Sequence, residues 1–331
     1  MNYTLIDLEI PWVEKYRPNS FDEIVSQNIA INNLKDFVKS GNMPHMIFTG
    51  PAGTGKTSTA LIIAKNVIKK QNYFANVLEL NASDTVRMNY VRNAIKGFVN
   101  QNLVVGDDTL KVIILDEADN IPKQVQQALR RIIEKASSSV KFILICNYIN
   151  RIIDPIISRC AVFRFAKLPK EKIIERLMFI SEQEKLQIPQ AQVNKFYEAL
   201  FFVSGGDLRK AINTLQMSVA LELLDNLDLN EILKISGFLD DSTLEKLIKM
   251  LQSKNFEGAR KLFMTIENLD SRNFLRQMME RLGGLNIESS NYDKMVAFIG
   301  EIDYRISQGA DVKIQLLALI GELIRNIKID T

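Results

Sequence analysis

Eight consecutive residues, Gly50-Pro51-Ala52-Gly53-Thr54-Gly55-Lys56-Thr57, place a lysine and a hydroxyl directly behind a glycine-rich run. Gly50, Gly55, Lys56 and Thr57 fit the spacing G-x-x-x-x-G-K-T, which cradles phosphate. Gly53 and Gly55 let the backbone curl so that its N–H groups converge on phosphate oxygens, and a helix N-terminus adds a favourable dipole. The cradle is expected to run on to Ser58. Lys56 offsets charge on the β- and γ-phosphates, and the Thr57 hydroxyl is a ligand for Mg²⁺. A chance match in a chain of this length has odds of about one in a hundred at average residue frequencies. The apolar run before the loop reads as a strand and the segment after it as a helix, which is the context the motif requires. The expected cofactors are ATP and Mg²⁺.

A second candidate is VIILDEAD, residues 112–119. Asp116 ends an apolar strand, where its carboxylate can hold Mg²⁺ through water, and Glu117 is placed to polarise an attacking water. Acid pairs after strands are often solvated turns; this one gains weight from lying about 60 residues beyond Thr57, room for two further strand–helix units. Hydrolysis at such a site depends on positioning and charge neutralisation rather than a covalent intermediate. A third candidate is ICNYINRIIDPIISRC, residues 145–160, in which Asn147 follows an apolar strand and Arg159 comes 12 residues later. On residue type alone, that asparagine is a turn residue or a γ-phosphate contact, and that arginine a solvated charge or a functional one.

The elements that must position these residues are legible as pattern. Residues 46–49, 76–80, 111–116, 141–146 and 161–165 read as strands; 56–70, 86–100 and 122–136 read as helices. This alternation predicts βαβ units and a mostly parallel sheet. After Leu168-Pro169 strand patterns stop and helical ones follow one another to about residue 328, with boundaries near 167 and 229. In the last helix Val312, Leu316, Leu319, Leu323 and Ile327 form an apolar stripe, read as core in preference to an intersubunit face.

Composition closes off other chemistries. The chain has 331 residues, 47% apolar and 24% charged, enough for two or three domains. No apolar run of membrane-spanning length occurs, and Asp7, Glu9 and Glu14 interrupt the N-terminus where a secretory signal needs an unbroken apolar run. An intracellular protein is expected, with no membrane partner. Cys146 and Cys160 cannot make a disulfide framework, and the single histidine, His45, cannot build a metal site, so zinc and His-based triad chemistry are disfavoured. The net charge of +3 does not hold DNA by whole-molecule electrostatics.

Taken together, these residues resemble the small subunits of replication factor C, the clamp loader of the AAA+ ATPase class. The resemblance rests on PWVEKYRP (11–18), GNMPHMIFTGPAGTGKT (41–57), LELNASD (78–84), VIILDEAD, QALRR (127–131), ISRC (157–160) and GGDLRKAINTLQ (205–216). It implies an α/β P-loop AAA+ domain with a parallel central sheet over 1–166, a small helical lid over 167–228 and an all-α collar over 229–331. Val13, Tyr16, Arg17 and Val25 would surround adenine and ribose. Asn147 would be sensor 1 and Arg209 sensor 2, while Arg159 would act in trans as an arginine finger in a neighbour's site. The implied function is an ATPase subunit of a heteropentamer that opens a sliding clamp (PCNA) and loads it on primer–template DNA without sequence preference. The implied compartment is nuclear in a eukaryote and cytoplasmic in an archaeon. Where the family commonly has NASD-D-R-G, this chain reads NASD-T-V-R-M, so an arginine is missing at Val86 and Arg87 is displaced by about 100° around a helix. DNA contact is expected instead through Arg87, Arg92, Lys96 and Lys123, and clamp contact near 95–110. The rival readings are a structural ring subunit that binds ATP with little hydrolysis, and another AAA+ remodeller such as a helicase loader or branch-migration motor.

Overall fold

The computed structural model describes residues 10–82, 88–100, 110–135, 140–224, 227–266, 269–285, 287 and 289–327. Five strands, β1 (His45–Thr49), β2 (Val77–Asn81), β3 (Lys111–Asp116), β4 (Val140–Cys146) and β5 (Cys160–Arg164), form one sheet in the order β2-β3-β4-β1-β5. All four pairings are parallel. Each strand lies within one residue of its expected span. The reason is visible in β3: Val112 and Ile114 pack into one apolar layer, Ile113 and Leu115 into the other. A strand buried on both faces must be apolar at every position, and helices must cover both sides. Leu34, from helix Asn28–Ser40, and Ile63, from helix Lys56–Val67, sit in the first layer. Ile95, Leu129 and Ile133, from helices Met88–Asn100 and Lys123–Lys135, sit in the second.

Helix Asn28–Ser40 was not expected from the sequence. Its signals are present nonetheless: Ile31, Leu34 and Val38 recur at helical spacing, and Gly41 at φ 69° ends it with a left-handed residue. At the start of β1, His45 is buried, and its Nδ1 accepts a hydrogen bond from the Phe142 N–H at 3.1 Å. Burial, and then the Lys141 charge, hold its pKa down at about 4, with the Ile133 backbone opposing. The folded chain therefore binds fewer protons than the unfolded one between about 4 and 6.5. Stability from this residue is complete above pH 6.5 and is lost as pH falls toward 4, by up to about 3 kcal/mol. As this is the only histidine, its imidazole signals titrate without ambiguity by NMR. A midpoint near 6.5, or a urea midpoint no more acid-sensitive than that of His45→Gln, would contradict this placement.

The described residues form two compact units. The first runs to Leu186 and includes Ser204–Asn213; the second takes Gln187–Val203 and everything from Thr214. Most of the second is helical, including helices Asp241–Gln252, Phe256–Met264, Ser271–Arg281, Ser289–Ser307 and Val312–Asn326. Asp240, Asn255, Asp270 and Asp311 cap four of these by accepting from backbone N–H groups one turn in. Leu247, Leu251, Phe274, Met278, Ile302 and Leu316 form its core. Of the terminal stripe, Leu316, Leu319, Leu323 and Ile327 are core, and Val312 is exposed. Each buried Leu or Ile contributes about 1.5–3 kcal/mol, whereas exposed pairs such as Arg305–Glu301 contribute about 0–1. Packing, not surface charge, holds this unit together.

Candidate nucleotide site

Parallel strands deliver their C-terminal ends to one edge of the sheet, where ligands of α/β folds sit. Here β1 runs into the 50–55 loop, β3 into Asp116-Glu117 and β4 into Asn147. Two loop glycines are sterically required. A Cβ on Gly50 would stand 2.1 Å from the Phe165 carbonyl oxygen, and one on Gly53 would stand 1.9 Å from Asp207 Oδ1. Asp207 cannot simply retreat, because its Oδ1 also accepts from the N–H groups of Arg209 and Lys210. Gly53 answers two demands at once, a left-handed φ of 70° and close packing against Asp207.

Lys56 is buried in this loop. Its Nζ donates to the Gly50 carbonyl (2.7 Å), the Pro51 carbonyl (2.6 Å) and Asn147 Oδ1 (3.0 Å). Burial pulls its pKa down, and the Asp116 carboxylate works against that. Thr57 Oγ1 donates to Asp116 Oδ2 at 2.8 Å, so a hydroxyl and a carboxylate from β3 share one point. The other Asp116 oxygen accepts the Glu117 N–H at 2.8 Å, and Glu117 itself takes left-handed backbone angles, φ 54° and ψ 38°. Its Oε2 accepts from Asn120 Nδ2 at 3.2 Å.

These groups fit a magnesium nucleotide. Mg²⁺ prefers one or two protein oxygens plus phosphate and water to an all-protein cage, and Thr57 with Asp116 supplies that pair. Among the described residues no cluster of three His, Cys, Asp or Glu side chains could hold a metal alone.

One cleft gathers Val13, Tyr16, Arg17, Val25, Ala52 to Ser58, Asp116, Glu117, Asn147 and Arg209. Gly50 and Pro51 reach it through their bonds to Lys56. Arg159 is not in its lining. Its side chain is 36% exposed, pairs with Glu134 at 2.6 Å, and donates to the Pro155 carbonyl at 2.7 Å.

Known proteins resemble this chain over nearly its whole length. The model for the ATPase family associated with various cellular activities (AAA) matches residues 46–168, and that for the replication factor C C-terminal domain matches 239–322. Replication factor C small subunit 1 of Pyrobaculum islandicum is 39% identical over 326 residues, 97% of each chain. The replication factor C small subunit of Archaeoglobus fulgidus is 40% identical over 94% of this chain and 96% of that one. The chain belongs to the replication factor C small-subunit family. The solved RuvB Holliday junction branch migration motor of Thermotoga maritima is 17% identical with a TM-score of 0.53, covering 83% of this chain and 93% of that one. That likeness is one of fold.

Within this member of the replication factor C family, two site residues escaped sequence reasoning. Asp119 is buried, and its Oδ2 accepts from the Asn147 and Tyr148 N–H groups at 3.2 and 3.1 Å, fixing the end of β4 beside that of β3. Its signal is a second aspartate three residues after Asp116. Arg176 also lines the cleft and had no local signal. Of the expected DNA residues, Arg87 lies outside the described residues. Arg92 and Lys96 fall one helical turn apart on helix Met88–Asn100, with Lys96 exposed, and Lys123 is exposed at the start of its helix. The expected clamp segment falls largely in 101–109, outside the described residues.

Proposed function

We propose that this chain is an ATP-binding and ATP-hydrolysing small subunit of a heteropentameric clamp loader, which opens a PCNA-type sliding clamp and places it on primer–template DNA. The observation that carries the reading is a division of labour. Lys56, Thr57, Asp116, Glu117, Asn147 and Arg209 are all at the cleft, while Arg159 stands apart and exposed. A site that lacks its own finger and a finger that lacks a site call for a neighbouring subunit.

In this reading Lys56 binds the β- and γ-phosphates and Asn147 orients the terminal one. Thr57 and Asp116 would hold Mg²⁺, which would supply charge neutralisation on the phosphates. Glu117 orients the attacking water and accepts its proton, and Arg209 senses the γ-phosphate. Tyr16 and Arg17 flank the base and ribose. Lys96 and Lys123 meet DNA phosphates, contacts that carry no sequence information and weaken steeply with salt. The test is co-purification with a candidate large subunit and clamp, followed by an ATPase assay. Turnover should rise when clamp and primer–template DNA are added together. A stable complex whose turnover ignores both would overturn the loading assignment.

A further inference from the structure

The cleft lining includes two arginines from beyond the sheet, Arg176 and Arg209. Burial pulls the Arg176 pKa down, and Glu23 and then Tyr16 oppose that.

Arg176 is built into a latch. Its Nη2 donates to the Tyr16 carbonyl at 2.9 Å, and its guanidinium lies over the Phe179 ring, 5.0 Å from the centroid. The Tyr16 ring meets Phe179 edge-on, with centroids 6.4 Å apart. The Tyr16 hydroxyl donates to Glu184, and Lys15 pairs with the same carboxylate oxygen at 2.6 Å. Arg176 and Phe179 lie on helix Lys170–Gln183 and Glu184 is its C-cap, so one element grips Lys15 and Tyr16 by main chain, ring, hydroxyl and charge together. Among the described residues no carboxylate pairs with Arg176, although a guanidinium carries five N–H donors. Burial disfavours the charge, and Glu23 offsets that only without direct contact. Fixing a main-chain carbonyl at the wall of a ligand cleft accounts for keeping it.

On the reading that the cleft takes ATP, we propose that Arg176 is a positioning residue for the base end: it holds the Tyr16 main chain in place, and selection of adenine depends on that hold. Recognition of a purine edge by main-chain groups needs those groups fixed to a fraction of an ångström, and a site so built rejects a base whose donors and acceptors are exchanged.

The experiment compares ATP, GTP and inorganic tripolyphosphate by calorimetry on the full chain. Arg176→Met keeps the aliphatic stem and removes the fork. By releasing the Tyr16 main chain it should weaken ATP about tenfold and shift GTP and tripolyphosphate less than about twofold. Arg176→Lys, which keeps the charge without the planar fork, should lose ATP affinity to a smaller degree and carries the test if the methionine variant does not fold. Equal weakening of all three ligands would make Arg176 a general structural residue, and unchanged ATP affinity would remove it from the site; either result overturns the proposal. Lys56→Ala, run alongside, should lose all three. If it keeps them, the assignment of the cradle fails, a different result from failure of the latch.

Discussion

Lys56→Ala is expected to weaken ATP binding by this chain about 100-fold or more, the equivalent of one or two hydrogen bonds to a charged group. The ammonium is buried and already aimed by three acceptors, two on the loop and one on Asn147, so its loss removes charge from a place water does not easily refill. Truncation also strands those acceptors, at a cost of about 1–3 kcal/mol for each one left dry. For that reason the variant needs a melting curve beside its titration. Lys56→Met fills the stem volume but strands the same acceptors: it should recover only the packing part of the stability and none of the affinity. Calorimetry reporting native affinity in a folded Lys56→Ala chain would take the phosphate role away from this loop.

Arg159→Ala should leave this chain's own nucleotide affinity intact and slow hydrolysis at a neighbour's site. Fingers of this kind contribute about 10³–10⁵ in rate, and a loss of at least about 10³ in single-turnover phosphate release is expected once the ring is assembled. The folded chain itself should barely notice. The Arg159–Glu134 pair is exposed on both sides, and such pairs contribute about 0–1 kcal/mol. The combination of near-native melting, native binding and failed turnover in a partner is what distinguishes a residue that acts across an interface. A ring carrying Arg159→Ala that releases phosphate at the native rate would show that the finger lies elsewhere.

How far the sequence alone could lead differs between elements, for physical reasons. Strands buried on both faces have no freedom in composition, so β1, β3 and β4 announced themselves as unbroken apolar runs. The phosphate loop was legible because its glycines answer constraints that few other residues meet. Helix Asn28–Ser40 was missed although its apolar spacing and its Gly41 cap were in view. Arg176 and Asp119 were missed for a better reason: each acts on a partner far along the chain, the Tyr16 carbonyl and the Asn147 and Tyr148 N–H groups. Gln27 belongs with them. Its amide donates to the Ala166 carbonyl at 2.8 Å and accepts the Ala166 N–H at 3.1 Å, a reciprocal pair between residues 139 apart in sequence. No periodicity encodes such a contact. Arg87 and the 101–109 segment lie outside the described residues, and for them the expectation from sequence stands as it was.

The triple engagement of the Lys56 ammonium has a further consequence for how this protein meets its ligand. The three N–H groups of that ammonium are matched by three protein oxygens, the Gly50 and Pro51 carbonyls and Asn147 Oδ1. Association is therefore a trade of partners rather than the making of new ones, and the heat released reflects the difference between phosphate and carbonyl acceptors, not their sum.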